Sequence, residues 1–179
     1  MLDAADVKKF SLFAGLEDVE LQAIAALGTR KQFTPGDVIF YKDACTTDVY
    51  LLEDGNESVQ MEIQGKNSSQ PVIVHTIERG ELFSWDPLCP PRPRATTARV
   101  VQPATAIVIQ GDALRKLLEQ NEHMGCLVMK NLSGIVSARL SYITLVLGSE
   151  VTRFRKTRPA GIPERKRSFA SRIPFGTRR

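Results

Sequence analysis

Arg94 is the residue of this 179-residue chain best suited to act on a ligand. Its guanidinium is a planar fork of donors, always charged, whose geometry matches the oxygens of a phosphate or carboxylate. It closes a turn-rich stretch, residues 77–100, in which Gly80-Glu81-Leu82-Phe83-Ser84-Trp85 leads towards it and Ala95-Thr96-Thr97 follows. Two readings of Arg94 stand side by side: a clamp for an anionic ligand, or a surface arginine paired with Glu81 or Asp86. Trp85 likewise reads as an aromatic shelf for a base or as a core residue plugging the same space. Pro87, Pro90, Pro91 and Pro93 stiffen the chain between the two.

Little else carries chemistry. Cys45, Cys89 and Cys126 are odd in number and widely spaced, which fits a reducing compartment and neither a disulfide framework nor a thiolate metal site. His75 and His123 form no ligand spacing with them, so no metal is assigned. No paired carboxylates or base-activated nucleophile emerge, and the chain is read as a non-enzyme. No apolar run approaches a membrane span, and the acidic N-terminus is unlike a secretory signal, so the expected location is the cytoplasm. Charge is unevenly distributed: residues 1–147 hold 14 basic against 18 acidic side chains, residues 148–179 hold 10 against two. The pI of about 9.1 therefore describes the tail and not the body.

The elements that must position Arg94 are mostly strands. A helical region is expected from Val7 to Leu27, with Glu17, Asp18 and Glu20 in a first turn and Gly28 as its stop. Phe10, Leu12, Phe13 and Leu16 form an apolar hook beneath it. From Phe33 the period changes to two. Strands are expected over 38–41, 48–52, 59–63, 72–77, 97–101 and 104–109, separated by turn signals such as Pro35-Gly36-Asp37 and Asp54-Gly55-Asn56 and by a polar hairpin loop at 65–70. Short strands so spaced argue for a sandwich, roll or barrel. Asp112 is the expected N-cap of a further helix. A long one then runs between Met124 and Leu147, with Val128, Leu132, Val136, Leu140, Ile143 and Leu147 along one side. That stripe packs either on the body or on a second copy as a homodimer. Residues 148–179, rich in Arg and Pro, read as a disordered basic tail.

Taken in order, the helical hook, Pro35-Gly36-Asp37, Val49-Tyr50-Leu51-Leu52, Gly55, Gly80-Glu81-Leu82-Phe83, Arg94-Ala95-Thr96-Thr97 and the long helix resemble the cyclic nucleotide-binding domain of catabolite-activator-type regulators, kinase regulatory subunits and gated channels. The resemblance covers about residues 10–147 and implies a mainly β fold: an antiparallel β-roll of the jelly-roll type, with an N-terminal helical hook and a long C-terminal helix. It also implies cAMP or cGMP as ligand. In the family, a Phe-Gly-Glu segment opens a short helix towards the cyclic phosphate, its Glu accepts from the ribose hydroxyl, and an Arg pairs with the phosphate. Trp85 precedes Arg94 by nine residues, similar to the family's Glu-to-Arg interval, whereas Glu81 precedes it by 13. The implied site is thus Phe83, Ser84, Trp85, Arg94 and Ala95. Ser84 replaces the glycine, and Trp85 replaces the carboxylate.

Indole donates a hydrogen bond but accepts none, so the ribose contact is lost, at a cost of roughly tenfold or more in affinity. The functional expectation is a stand-alone regulatory module that binds a cyclic nucleotide weakly or takes a different small phosphorylated ligand. The alternative is a ligand-free dimerisation or docking module whose basic tail contacts nucleic acid or an acidic surface. The 32 residues after Leu147 contain no two-helix pattern, so no helix-turn-helix domain is expected.

Overall fold

The computed structural model describes residues 1–45, 47–64, 71–89 and 93–157, without the side chains of 64 and 146–157. The expected hairpin loop at 65–70, Pro90 and Pro91, and the tail beyond Thr157 lie outside these residues.

Asp3 opens the first helix, α1 (Ala4–Lys8), through a capping box with Asp6. The single helical region expected over Val7–Leu27 is instead two pieces. A 3-10 turn at Ser11–Phe13 and Gly15, with φ of +85°, break the path before α2 (Asp18–Ala25). Glu17 and Glu20 cap α2 reciprocally. The break lets Phe10, Leu12 and Phe13 turn inward as the expected hook, all but fully buried.

Among the described residues, eight strands form two antiparallel four-stranded sheets. They are β1 (Gly28–Phe33), β2 (Val38–Phe40), β3 (Asp48–Asp54), β4 (Val59–Gln64), β5 (Pro71–Ile77), β6 (Leu82–Ser84), β7 (Thr97–Val100) and β8 (Ala104–Gln110). One sheet has the order β1-β8-β3-β6 and the other β2-β7-β4-β5. Alternation along β3 explains the layering: Tyr50 and Leu52 point between the sheets with Phe40, Val59, Ile77, Phe83 and Val100. Val49 and Leu51 point to the opposite face, against the hook and helices. In β8, paired with β3 through Val49–Ile109 and Leu51–Ile107, Ala104 and Ala106 face inward while Ile107 and Ile109 face the helices. The first sheet is therefore covered on both sides.

After β8 comes α3 (Gly111–Gln120). Gln110 is its N-cap residue, and Asp112, the expected cap, sits one residue into the helix and pairs with Arg115. A Cβ on Gly111 would collide with Pro87 and the Thr47 carbonyl, so only glycine allows this close approach. Helix α4 (Glu122–Thr157) follows at once. Its first half packs on the roll through Met124, Val128 and Leu132, while Asn131 donates to the carbonyls of Leu12 (3.1 Å) and Ala14 (2.9 Å) in the hook. The helix continues ten residues past the boundary expected at Leu147. Residues 148–157 contain no proline, and Glu150, Arg153, Arg155 and Lys156 are good helix formers, so Gly148 alone does not stop it.

Candidate ligand-binding site

The stretch around Phe83 is ordered by a turn and a short strand. Glu78–Glu81 turns with Gly80 at φ +87°, and the turn is tied to β3 by Gly80 N–H to Leu52 O (2.8 Å) and Leu52 N–H to Glu81 O (2.9 Å). Strand β6 then carries Phe83 into the inter-sheet core beside Phe40 and Tyr50, with ring centroids 6.5 and 5.6 Å away.

Ser84 is buried in β6 and is not in the left-handed region. Its hydroxyl donates to the Asp48 carbonyl (2.8 Å) and accepts from Arg94 Nη2 (2.6 Å). The serine thus supplies a second anchor for the guanidinium, which a glycine there could not.

Arg94 is 2% exposed. Its Nη1 meets Asp86 Oδ2 at 3.1 Å, and its Cζ stacks 3.8 Å above the Phe40 ring. Burial pulls the guanidinium below its ordinary pKa, and the Asp86 carboxylate opposes that shift. The backbone is fixed too, because Asp43 N–H donates to Arg94 O (2.9 Å). Of the two partners considered for Arg94, Asp86 is the one it meets, and it does so in the interior, not at the surface.

Trp85 and Ala95 are half-buried or nearer the surface, in the wall of a cavity of about 390 Å³. Met61, Val74 and Phe83 form its sheet side, and Val136, Arg139, Leu140 and Ile143 of α4 form the opposite side. Trp85 lines this space without closing it, and Arg94 does not line it at all. The structure thus gathers Phe83, Trp85 and Ala95 around the cavity, with Ser84 and Arg94 joined behind it.

Where the resemblance implies a short helix after Phe83, the described residues form one 3-10 turn, Asp86–Leu88. Pro87 has no N–H. The amides of Leu88 and Cys89 are already bonded to the carbonyls of Trp85 (2.9 Å) and Asp86 (3.0 Å). Among the described residues, the turn Pro87–Cys89 therefore presents no free backbone donor to an anion.

Arg139 was not legible as a site residue. Its Cζ stands 5.0 Å from the Trp85 ring centroid, and its Nη2 donates to Glu81 Oε1 (3.4 Å) and Leu82 O (3.2 Å). Glu81 also meets His75 Nε2 (3.1 Å) and accepts from the Glu78 amide (2.9 Å). Burial pushes the Glu81 carboxyl up, but the His75 and Glu78 hydrogen bonds and the Arg139 charge together hold it below its usual value. This cluster separates the first cavity from a second, of about 580 Å³, bordered by Glu78, Glu81 and Tyr142.

The architecture is a roll with a long helix over a cavity beside its Phe-Ser-Trp segment. The family model "Cyclic nucleotide-binding domain" matches residues 30–121, and the chain belongs to that family. Similar solved structures include a candidate cyclic nucleotide-binding protein of Geobacter metallireducens GS-15. It is 28% identical with a TM-score of 0.67, over 78% of this chain and 99% of that one. A cyclic nucleotide-binding domain from Methylobacillus flagellatus KT shares the fold at 17% identity and a TM-score of 0.70, over 89% and 84% of the two chains. The Thermus thermophilus catabolite activator protein does so at 23% identity and 0.64, over 79% of this chain and 63% of that one. No curated protein sequence matches the chain.

Among the described residues no His, Cys, Asp and Glu cluster could hold a metal ion. Nor is any described helix long and apolar enough to cross a membrane.

Proposed function

We propose that this chain is a non-catalytic regulatory module whose cavity beneath α4 receives a small ligand, and that cyclic nucleotides bind it only weakly. The observation that carries the reading is the internal Arg94–Asp86–Ser84 arrangement. A cyclic phosphate would have to displace Asp86 from a guanidinium that is 2% exposed, and it would find an indole where the ribose needs an acceptor. Phe83, Ser84, Trp85, Arg94 and Ala95 are the site in this reading. Residues 1–147 are the sensing unit, and 148–179 form a basic segment for electrostatic contact with nucleic acid or an acidic surface.

Trp85 is the sole tryptophan, so its fluorescence reports on the cavity wall directly. Titration with cAMP and cGMP should give a shallow response that saturates only in the millimolar range. A complete lack of response would remove cyclic nucleotides as ligands of any strength.

A second reading, homodimerisation through the helix between Met124 and Leu147, is supported by its exposed apolar residues. Leu140 is 64% exposed, Met129 43% and Val136 36%. Sedimentation equilibrium tests it, and a monomer at high concentration would end it.

A further inference from the structure

The cavity beneath α4 contains a cation that the family's phosphate-binding pattern does not use. Arg139 reaches in from the helix, its side chain 11% exposed, and lies against the face of Trp85. Its hydrogen bonds to described residues run through Nη2, to Glu81 and Leu82 O. Among the described residues no hydrogen bond engages its Nε or Nη1. Both edges through which a guanidinium pairs bidentately with a carboxylate, Nε–Nη2 and Nη1–Nη2, include Nη2, so a ligand would take Nη2 from its long 3.4 Å contact with Glu81 and add one of the two other donors. If Arg139 turned towards a ligand, Glu81 would still keep His75 and the Glu78 amide, so no carboxylate would be stranded.

Most of the remaining wall is apolar, chiefly Met61, Val74, Phe83, Val136, Leu140 and Ile143, with Thr96 and a His75 that is turned to Glu81 as its other polar side chains. The one acid among the described wall residues, Asp86, is held by Arg94. Among the described residues, a phosphate dianion would therefore meet one guanidinium of the wall and a carboxylate in the same space. A monoanion with an apolar body needs only the guanidinium. The volume of about 390 Å³ is at the small end for ligand pockets, and the Trp85 ring offers a flat surface for stacking.

We propose that the cavity takes a small aromatic monocarboxylate, with Arg139 as its anion-binding residue and Trp85 as its stacking surface. This rests on the reading of the cavity as the module's ligand site and names the ligand class.

The test is titration of Trp85 fluorescence with phenylacetate, with its neutral amide phenylacetamide and with cAMP, on the wild type, Arg139→Gln and Arg139→Lys. Circular dichroism establishes that each variant is folded. Phenylacetate should saturate and bind at least tenfold more tightly than phenylacetamide. Arg139→Gln should remove that preference while leaving the amide unaffected. Arg139→Lys should retain part of it.

Equal binding of acid and amide, or an unchanged acid preference in Arg139→Gln, overturns the proposal. A wild type that responds to cAMP but not to phenylacetate also overturns it and leaves the ligand-sensing reading in place. Silence towards every probe sinks both.

Discussion

Replacing Asp86 by Asn releases Arg94 from its internal counter-charge while keeping the shape of the turn. Truncating one member of a fully buried ion pair costs about 3–5 kcal/mol, because the other charge is left uncompensated. Two features reduce that here. The Asp86 side chain is 25% exposed, so water screens part of the interaction, and the Asn amide oxygen can still accept from Nη1 at the same 3.1 Å position. A loss of about 1–2 kcal/mol is expected for Asp86→Asn, read from urea unfolding followed by Trp85 fluorescence. Binding should change in the opposite sense. A charge-assisted hydrogen bond contributes ~1.5–3 kcal/mol, and the phosphate would no longer compete with a carboxylate for it. Affinity for cAMP should then rise by roughly tenfold to a hundredfold in calorimetry. A folded Asp86→Asn protein with unchanged cAMP affinity would refute the idea that Asp86 blocks the clamp.

Trp85→Glu supplies an acceptor where the proposed site would place the ribose hydroxyl, and cAMP affinity should increase about tenfold or more, again by calorimetry. Phe83→Ala should cost about 3–5 kcal/mol in urea unfolding, since the ring is 2% exposed between Phe40 and Tyr50. Leu140→Asp should weaken any self-association seen in sedimentation with little effect on stability, because the leucine is 64% exposed. Hydrogen bonding from Arg30, then Lys9, lowers the Glu53 carboxyl to about 2. A depressed pKa contributes stability above the unfolded value of about 4.3 and loses it as pH falls towards about 2. Arg30 and Lys9 are 41% and 40% exposed, so about 1 kcal/mol is involved. Glu53→Gln should flatten that part of the acid-unfolding curve.

Much of the roll was legible because its strands alternate. Val59-Gln60-Met61-Glu62-Ile63 and Val49-Tyr50-Leu51-Leu52 announced β4 and β3, and their order with Pro35-Gly36-Asp37 and Arg94-Ala95 pointed to the family. Strand β1 was hidden because Thr29, Arg30, Lys31 and Gln32 are polar and exposed on both faces, so no period of two survives. Three-residue β6 was hidden among turn signals, and its place beside β3 is set by the Gly80–Leu52 and Leu52–Glu81 hydrogen bonds. The α1–α2 break escaped notice because Phe10, Leu12 and Phe13 are apolar at a spacing close to that of a helix face.

At the site, the chemistry of Arg94 was readable, but its burial was not. Its depth comes from Phe40, Ser84 and Asp86 on three different segments. Arg139 was beyond sequence reasoning for the same cause. It lies more than 50 residues from Glu81 and Trp85, and only the packing of α4 on the roll brings them together. In isolation it is one charged residue beside an apolar stripe.

The most direct measurement is a calorimetric titration of the wild-type chain with cAMP. A dissociation constant near a millimolar or weaker is expected, about −4 kcal/mol, because Arg94 is held by Asp86 and Ser84 and Trp85 offers no ribose acceptor. A micromolar constant, about −8 kcal/mol, would mean that the ligand reaches Arg94 despite Asp86, and would contradict the claim that the pocket has turned away from cyclic nucleotides.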